Sequence, residues 1–175
     1  PRSTLFPYTT LFRSSTGSLG HGIGIAIGMA MGARLQGEKW HTYCVLGDGE
    51  CHEGSVWEAA MSAAHFKVTN MTVFVDRNRL CIDGNTENIM ALEPFADKWR
   101  AFGWRVIEID GHDFNQICDA IDASHAETEK PVVIIANTIK GKGIDFMENL
   151  AGWHYAGLDS ANAARALEAL RAQKG

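Results

Sequence analysis

Apolar positions along the chain alternate between two periods. Small and aliphatic side chains recur at helical spacing behind a cluster of glycines, which predicts a helix over residues 20–36. Gly24, Gly28 and Gly32 fall on one face of it, where another backbone can approach closely. A strand over 42–46 follows and ends in Gly47-Asp48-Gly49; a second helix spans 55–66, and 71–75 is a continuous apolar run of buried-strand length. A polar loop occupies 76–87. Pro94 opens a helix over 94–101, 104–109 reads as strand, and 114–127 reads as helix with Asp113 as its N-cap. Residues 131–136 form another strand, a glycine-bearing loop covers 137–158, and Asp159 caps a last helix that ends near 173. Strands separated by helices over units of roughly 30 residues predict an α/β fold, a mostly parallel sheet with helices on both faces. Such sheets bind ligands at the carboxyl ends of their strands, where Gly47-Asp48-Gly49 and the loop after residue 75 both lie.

Composition narrows the function. The 175 residues suit one domain, and ten of the 18 glycines fall between Gly17 and Gly54, a bias that points to a ligand rather than to a plain core. Lys and Arg number 16 against 21 Asp and Glu, a net charge of −5, with no basic block, so nucleic acid and anionic membrane surfaces are not expected partners. No apolar run approaches the roughly 20 residues that cross a bilayer. The four cysteines form no CxxC pair and no secretory leader is visible, which suggests reduced thiols and a cytoplasmic setting. Cys44, Cys51 and His52 do not read as a metal site, because Cys44 falls in a buried strand and no fourth ligand pairs with it.

Residues 4–14, TLFPYTTLFRS, have neither helical nor strand periodicity and resemble a translated sequencing adapter. They are expected to be a non-native segment, with residues 1–14 outside the fold, 15–175 forming the domain, and the fold incomplete at its N-terminus.

Asp48 and Asn78 lie 30 residues apart at what should be neighbouring strand ends. A carboxylate and an amide oxygen, completed by a backbone carbonyl and ligand oxygens, suit Mg²⁺ or Ca²⁺ rather than zinc. GDG followed by Asn at this spacing resembles the thiamine-diphosphate fingerprint. Around it, Ser15-Thr16-Gly17-Ser18-Leu19-Gly20-His21-Gly22, Gly47-Asp48-Gly49-Glu50, Val56-Trp57-Glu58-Ala59-Ala60, Val75-Asp76-Arg77-Asn78, Lys140-Gly141-Lys142-Gly143, Phe146-Met147-Glu148 and Trp153-His154 resemble transketolase. The likeness is greatest to the separately encoded N-terminal subunit that binds the cofactor diphosphate.

That resemblance implies roles. Asp48, the Asn78 side chain and the Leu80 carbonyl would hold Mg²⁺, while Leu80 and Ile82 would wall the thiazolium. Gly17, Ser18 and Leu19 match the segment that passes the cofactor, with Gly47 and Gly49 beside the diphosphate. His154 matches the histidine that reaches the diphosphate and is the candidate catalytic residue. Glu53 and Glu58 match glutamates of an interface network. His21 could pack at the helix start or meet the cofactor, and Lys140 and Lys142 could form a solvated loop or one that closes over an anionic substrate. The implied partners are a pyrimidine-binding C-terminal subunit, in a dimer of heterodimers, and sugar phosphate substrates. The carboxylate that activates the cofactor's pyrimidine would come from the other half. The implied reaction moves a two-carbon ketol unit from a ketose phosphate to an aldose phosphate. Three alternatives stand beside it. 1-Deoxyxylulose-5-phosphate synthase shares GDG and KGKG, although the run from Phe146 to His154 favours transketolase. A dinucleotide-dependent oxidoreductase would use Gly20, Gly22, Gly24 and Gly28, but 16–19 is not the strand that fingerprint needs. An inactive truncated binding module is the third.

Overall fold

The computed structural model describes residues 17–172; the 4–14 segment, Ser15, Thr16 and the expected helix end near 173 lie outside the described residues. Among the described residues, β1 (Thr42–Gly47), β2 (Met71–Arg77), β6 (Val132–Asn137) and β5 (Arg105–Asp110) form one parallel sheet in that spatial order. β1 and β2 align so that Gly47 sits opposite Asp76, which levels the two strand ends that bear Asp48 and Asn78.

Helices α1 (His21–Leu35), α2 (Gly54–His65) and α4 (Phe95–Ala101) cover one face, and α5 (Phe114–His125) covers the other. The main core joins Ile23, Ala26 and Ala30 of α1 and Val56, Ala60 and Ala63 of α2 to Leu46, Val73, Val75, Val133 and Ile135 of the strands. β2 and β6 are apolar on both sides because both faces are covered in their centre. Trp99 and Trp104 seal one end, and the Trp104 indole N–H donates to Ala60 O at 2.8 Å, satisfying its one polar atom. Arg34, in the last turn of α1, donates to Phe66 O and Lys67 O, carbonyls left over at the end of α2. Asp113 caps α5 as expected, accepting from the Asn115 and Gln116 N–H groups, and Asp159 accepts from the Asn162 N–H ahead of α6 (Ser160–Ala172).

Three differences from the sequence expectation matter. β2 runs two residues past the apolar stretch, to Arg77. The 76–87 loop holds a small antiparallel hairpin, β3 (Leu80–Cys81) with β4 (Gly84–Asn85), and the short helix α3 (Thr86–Ile89). The expected close approach to Gly24, Gly28 and Gly32 is not made by the described residues: a Cβ at any of them would meet nothing within 4 Å.

At the opposite end of the sheet, His41 lies against the rings of Tyr43 and His125, at 5.0 and 4.6 Å between centroids, and its Nε2 is 2.7 Å from Thr72 Oγ1. Burial, then the charge of His125, lowers the His41 pKa from 6.5 to about 4. Between those values the unfolded chain binds a proton that the folded chain refuses. The His41 contribution to stability is therefore complete above pH 6.5 and is lost as pH falls from there towards 4. Denaturant midpoints measured from pH 7 to 5 should fall less in His41→Gln than in the wild type; equal slopes would show that His41 does not control this window.

Candidate functional site

The site forms where the β1 and β2 ends meet. Asp48 follows β1 and is fully buried; its own N–H donates to Asp76 O at 3.2 Å, extending the ladder by one bond. Its Oδ1 accepts from the Gly49 N–H at 2.8 Å, and its Oδ2 accepts from Arg79 N–H at 2.6 Å and from the Arg77 guanidinium at 3.0 Å. A carboxylate oxygen has two lone-pair positions, so among the described residues Oδ2 is filled and Oδ1 keeps one acceptor position. Burial pushes the Asp48 carboxyl above its ordinary range, against the opposing pull of the Arg79, Arg77 and Gly49 donors.

Asn78 is also buried, and its Oδ1 accepts the Leu80 N–H at 3.0 Å, which likewise leaves one acceptor position. Between them Arg79 takes a left-handed backbone, φ 63°, and this turn wraps residues 78–80 around the Asp48 carboxylate. Gly49 then lies directly under β3. A Cβ there would stand 2.8 Å from Cys81 Cβ and 3.9 Å from Leu80 O, so the glycine is what lets the hairpin close. Gly49→Ala should displace β3 and cost about 1–3 kcal/mol, as overpacking does. An unchanged denaturant midpoint in Gly49→Ala would contradict that fit.

Glu50, which the motif contains but to which spacing assigns no role, is a strut. Its Oε1 accepts the Gly20 N–H at 2.9 Å and its Oε2 the Gly47 N–H at 3.1 Å. Gly20 has φ 78°, and a side chain there would collide with Ser55 Oγ and with Glu53 Cβ at 2.9 Å. Glu50 and Gly20 together bring Gly17, Ser18 and Leu19, all exposed, beside the end of β1. His21 is exposed, its Nδ1 3.0 Å from Leu19 O.

Arg77, also without an assigned role in the sequence, is the hub of the site. It is 3% exposed and holds Asp48, Thr86 Oγ1 at 3.1 Å, Glu87 at 3.0 Å and Glu93 at 2.9 Å, with its guanidinium over the Phe95 ring. Such partners, distant along the chain, leave no periodic signal; the one hint in the sequence is an Arg next to the Asn of the motif.

The 140–154 loop folds back towards β3 through the turn Ala151–His154. The Trp153 indole N–H donates to Phe146 O, and Glu148 accepts from Gly143 N–H. This folding brings Lys140 Nζ to 3.4 Å from His154 Nδ1, so two of the candidate groups converge. Lys142 diverges and lines a groove of about 540 Å³ with Asp110, His112 and Gln116 at the β5 and β6 ends. Ile82 is half exposed beside the hairpin turn, and Leu80 is partly buried. Glu53 precedes α2 and Glu58 lies on it, both exposed.

The site thus pairs two hard oxygens, each with an open acceptor position, with a glycine turn and a converging lysine and histidine. Residues 6–173 match the family described as transketolase, thiamine diphosphate binding domain. The chain belongs to that family. Over 141 residues it is 43% identical to one of the subunits of apulose-4-phosphate transketolase from Phocaeicola vulgatus, an alignment covering 81% of this chain and 50% of that protein. It is 44% identical over 140 residues to 6-deoxy-6-sulfo-D-fructose transketolase subunit SqwG of a Clostridium species, covering 80% and 51%. The chain therefore spans about half the length of these relatives. The fold superposes on transketolase from Campylobacter jejuni with a TM-score of 0.83 at 31% identity, covering 89% of this chain and 26% of that one. Transketolase from Leishmania mexicana gives a TM-score of 0.82 at 30% identity, covering 89% and 25%. Membership of the transketolase family and the α/β fold read from the sequence both hold. No helix among the described residues is long and apolar enough to cross a membrane.

Proposed function

We propose that this chain is the diphosphate-binding half of a transketolase, which passes a two-carbon ketol unit from a ketose phosphate to an aldose phosphate with thiamine diphosphate and Mg²⁺. The observation that carries the reading is the pair Asp48 Oδ1 and Asn78 Oδ1 at adjacent strand ends, each with one unused acceptor position. Hard oxygens of this kind fit a divalent cation that keeps ligand oxygens in its shell.

In this reading Asp48, Asn78 and the Leu80 carbonyl hold the cation. Gly47 and Gly49 allow the diphosphate close to the backbone, with residues 17–19 alongside. Leu80 and Ile82 give the thiazolium an apolar wall and help exclude water. His154, with Lys140 beside it, reaches the diphosphate in this reading and is the candidate catalytic residue. When bound, thiamine diphosphate supplies the carbanion stabilisation that amino-acid side chains lack. The chain's share is binding, orientation and charge placement.

A pyrimidine-binding subunit is the partner in this proposal, seated against the open glycine face of α1 with Glu53 and Glu58 at the contact. The complete enzyme is a dimer of heterodimers in the cytoplasm. In this reading the domain is residues 15–175 and residues 1–14 are a non-native segment.

The test is two-carbon transfer from a ketose phosphate to ribose 5-phosphate by the chain assembled with a pyrimidine-domain subunit. Turnover should require thiamine diphosphate and should stop in EDTA. An assembled, cofactor-supplied heteromer without transfer activity would overturn the reading.

A further inference from the structure

The turn between β5 and α5, Gly111-His112-Asp113, lies against the chain as it leaves β6. Gly111 N–H donates to Asn137 O at 2.8 Å, and a Cβ on Gly111 would stand 2.5 Å from Thr138 Cγ2, so only a glycine lets the two segments touch. His112 is held firmly between its neighbours: its own N–H donates to Asp110 Oδ1 at 2.9 Å, and Asp113 is committed to capping α5. From this fixed point the imidazole reaches Ile139, whose N–H donates to His112 Nε2 at 2.8 Å. A ring nitrogen that accepts carries no proton, so the imidazole is the neutral tautomer with its proton on Nδ1.

Ile139 is the residue before Lys140. Thr138 N–H still donates to Arg77 O at 3.2 Å and so belongs to the sheet. Past Ile139 the bonds turn inward: Lys142 N–H donates to Ile139 O, Asn149 N–H to Lys140 O and Gly143 N–H to Glu148. Arg165 of α6 touches the far side of the loop at Asp145 and Phe146, and the 151–154 turn reaches β3. These contacts shape the loop; at the strand end it is the bond to His112 that ties it to the sheet. The direction in which Lys140 leaves β6 follows from that bond, and Lys140 Nζ ends 3.4 Å from His154 Nδ1.

We infer that His112 is a positioning residue for the Lys140–His154 pair: as a neutral acceptor it pins the Ile139 N–H to the β5–α5 turn and so fixes where the 140–154 loop leaves the sheet. The inference rests on the cofactor reading above, in which His154 reaches the diphosphate, and adds to it a residue that touches neither cofactor nor substrate. The point pinned is backbone, so what matters is an acceptor at the Nε2 position. Glutamine supplies one, because its side-chain oxygen stands about as far from the backbone as Nε2, whereas leucine fills a similar volume and accepts nothing. His112 is exposed, and an Ile139 N–H deprived of its acceptor can turn to water. The loss therefore falls on the placement of the loop rather than on the stability of the domain.

The experiment uses the chain assembled with its pyrimidine-domain partner and compares wild type, His112→Leu and His112→Gln by amide hydrogen exchange and by two-carbon transfer. In His112→Leu the peptides covering 139–154 should exchange faster, while those of β5 and α5 keep wild-type rates. Its kcat and kcat/KM should fall together by at least roughly 10-fold, inside the roughly 10² that a misplacement of about 1 Å can cost. His112→Gln should bring both readouts back to within about twofold of wild type, the scatter of independent effects. Unchanged exchange over 139–154 in His112→Leu, or transfer within about twofold of wild type, overturns the inference. So does a His112→Gln protein that behaves as His112→Leu does. Where His112→Leu does not assemble, the wild type decides: an Ile139 amide protected from exchange supports the inference, and one that exchanges as a free amide overturns it. Wild-type protein with that amide protected but without transfer dependent on thiamine diphosphate would instead defeat the cofactor reading on which the inference stands.

Discussion

An Asp48→Asn variant assembled with its pyrimidine-domain partner is expected to bind thiamine diphosphate in Mg²⁺ at least roughly 100-fold more weakly than the wild type, since it loses a ligand and not merely a ligand's neighbour. The direction of the amide explains the size of the effect. Arg77 and Arg79 both donate to the Oδ2 position, so the amide must place its oxygen there. Its NH₂ then occupies the Oδ1 position, where the carboxylate had an open acceptor, and presents protons towards the cation. The Gly49 N–H loses its acceptor at the same time. Arg77 keeps Glu87, Glu93 and Thr86, so the variant should still fold, which circular dichroism can check. Cofactor affinity unchanged in a folded Asp48→Asn protein would remove Asp48 from the site.

The second large effect is on activity. This chain by itself, saturated with thiamine diphosphate and Mg²⁺, should turn over no ketose phosphate, and adding a pyrimidine-domain partner should restore transfer. In the proposed reading the carboxylate that activates the cofactor's pyrimidine comes from the partner. Loss of one general acid–base group costs about 10²–10⁴ in rate, and loss of the partner's share of cofactor orientation adds to it. Transfer by the isolated chain, free of host enzyme, would contradict a divided site.

The centre of the fold is legible in the sequence because buried parallel strands are unbroken apolar runs, as in Met71–Val75 of β2 and Val132–Ile135 of β6, and because the helices between them carry caps such as Asp113. The strand ends are not. β2 continues through Asp76 and Arg77, polar residues whose place in the ladder depends on partners in β6 and on the buried ion network. The 76–87 segment reads as loop because β3, β4 and α3 are two to four residues each, too short for any period to show. Within the site, the motif carries Asp48, Asn78 and the flanking glycines. Arg77 and Glu50 stay hidden because the bonds that tie the site together, Glu50 to Gly20 and Arg77 to Asp48 and Glu93, join residues distant in sequence, which spacing along the chain does not encode. The glycine stripe of α1 is legible as a face for close approach, yet none of the described residues fills it.

If Asp48 and Asn78 hold the cation of a thiamine diphosphate site, the metal must lie between their Oδ1 atoms. A crystal structure of the assembled protein with thiamine diphosphate and Mn²⁺ in place of Mg²⁺ tests this most directly, because Mn²⁺ gives an anomalous peak at its own position. The expected peak stands roughly 2.0–2.3 Å from Asp48 Oδ1 and Asn78 Oδ1, with cofactor diphosphate in the same shell. A peak elsewhere on the sheet, or a bound cofactor with neither residue touching the metal, would contradict the assignment.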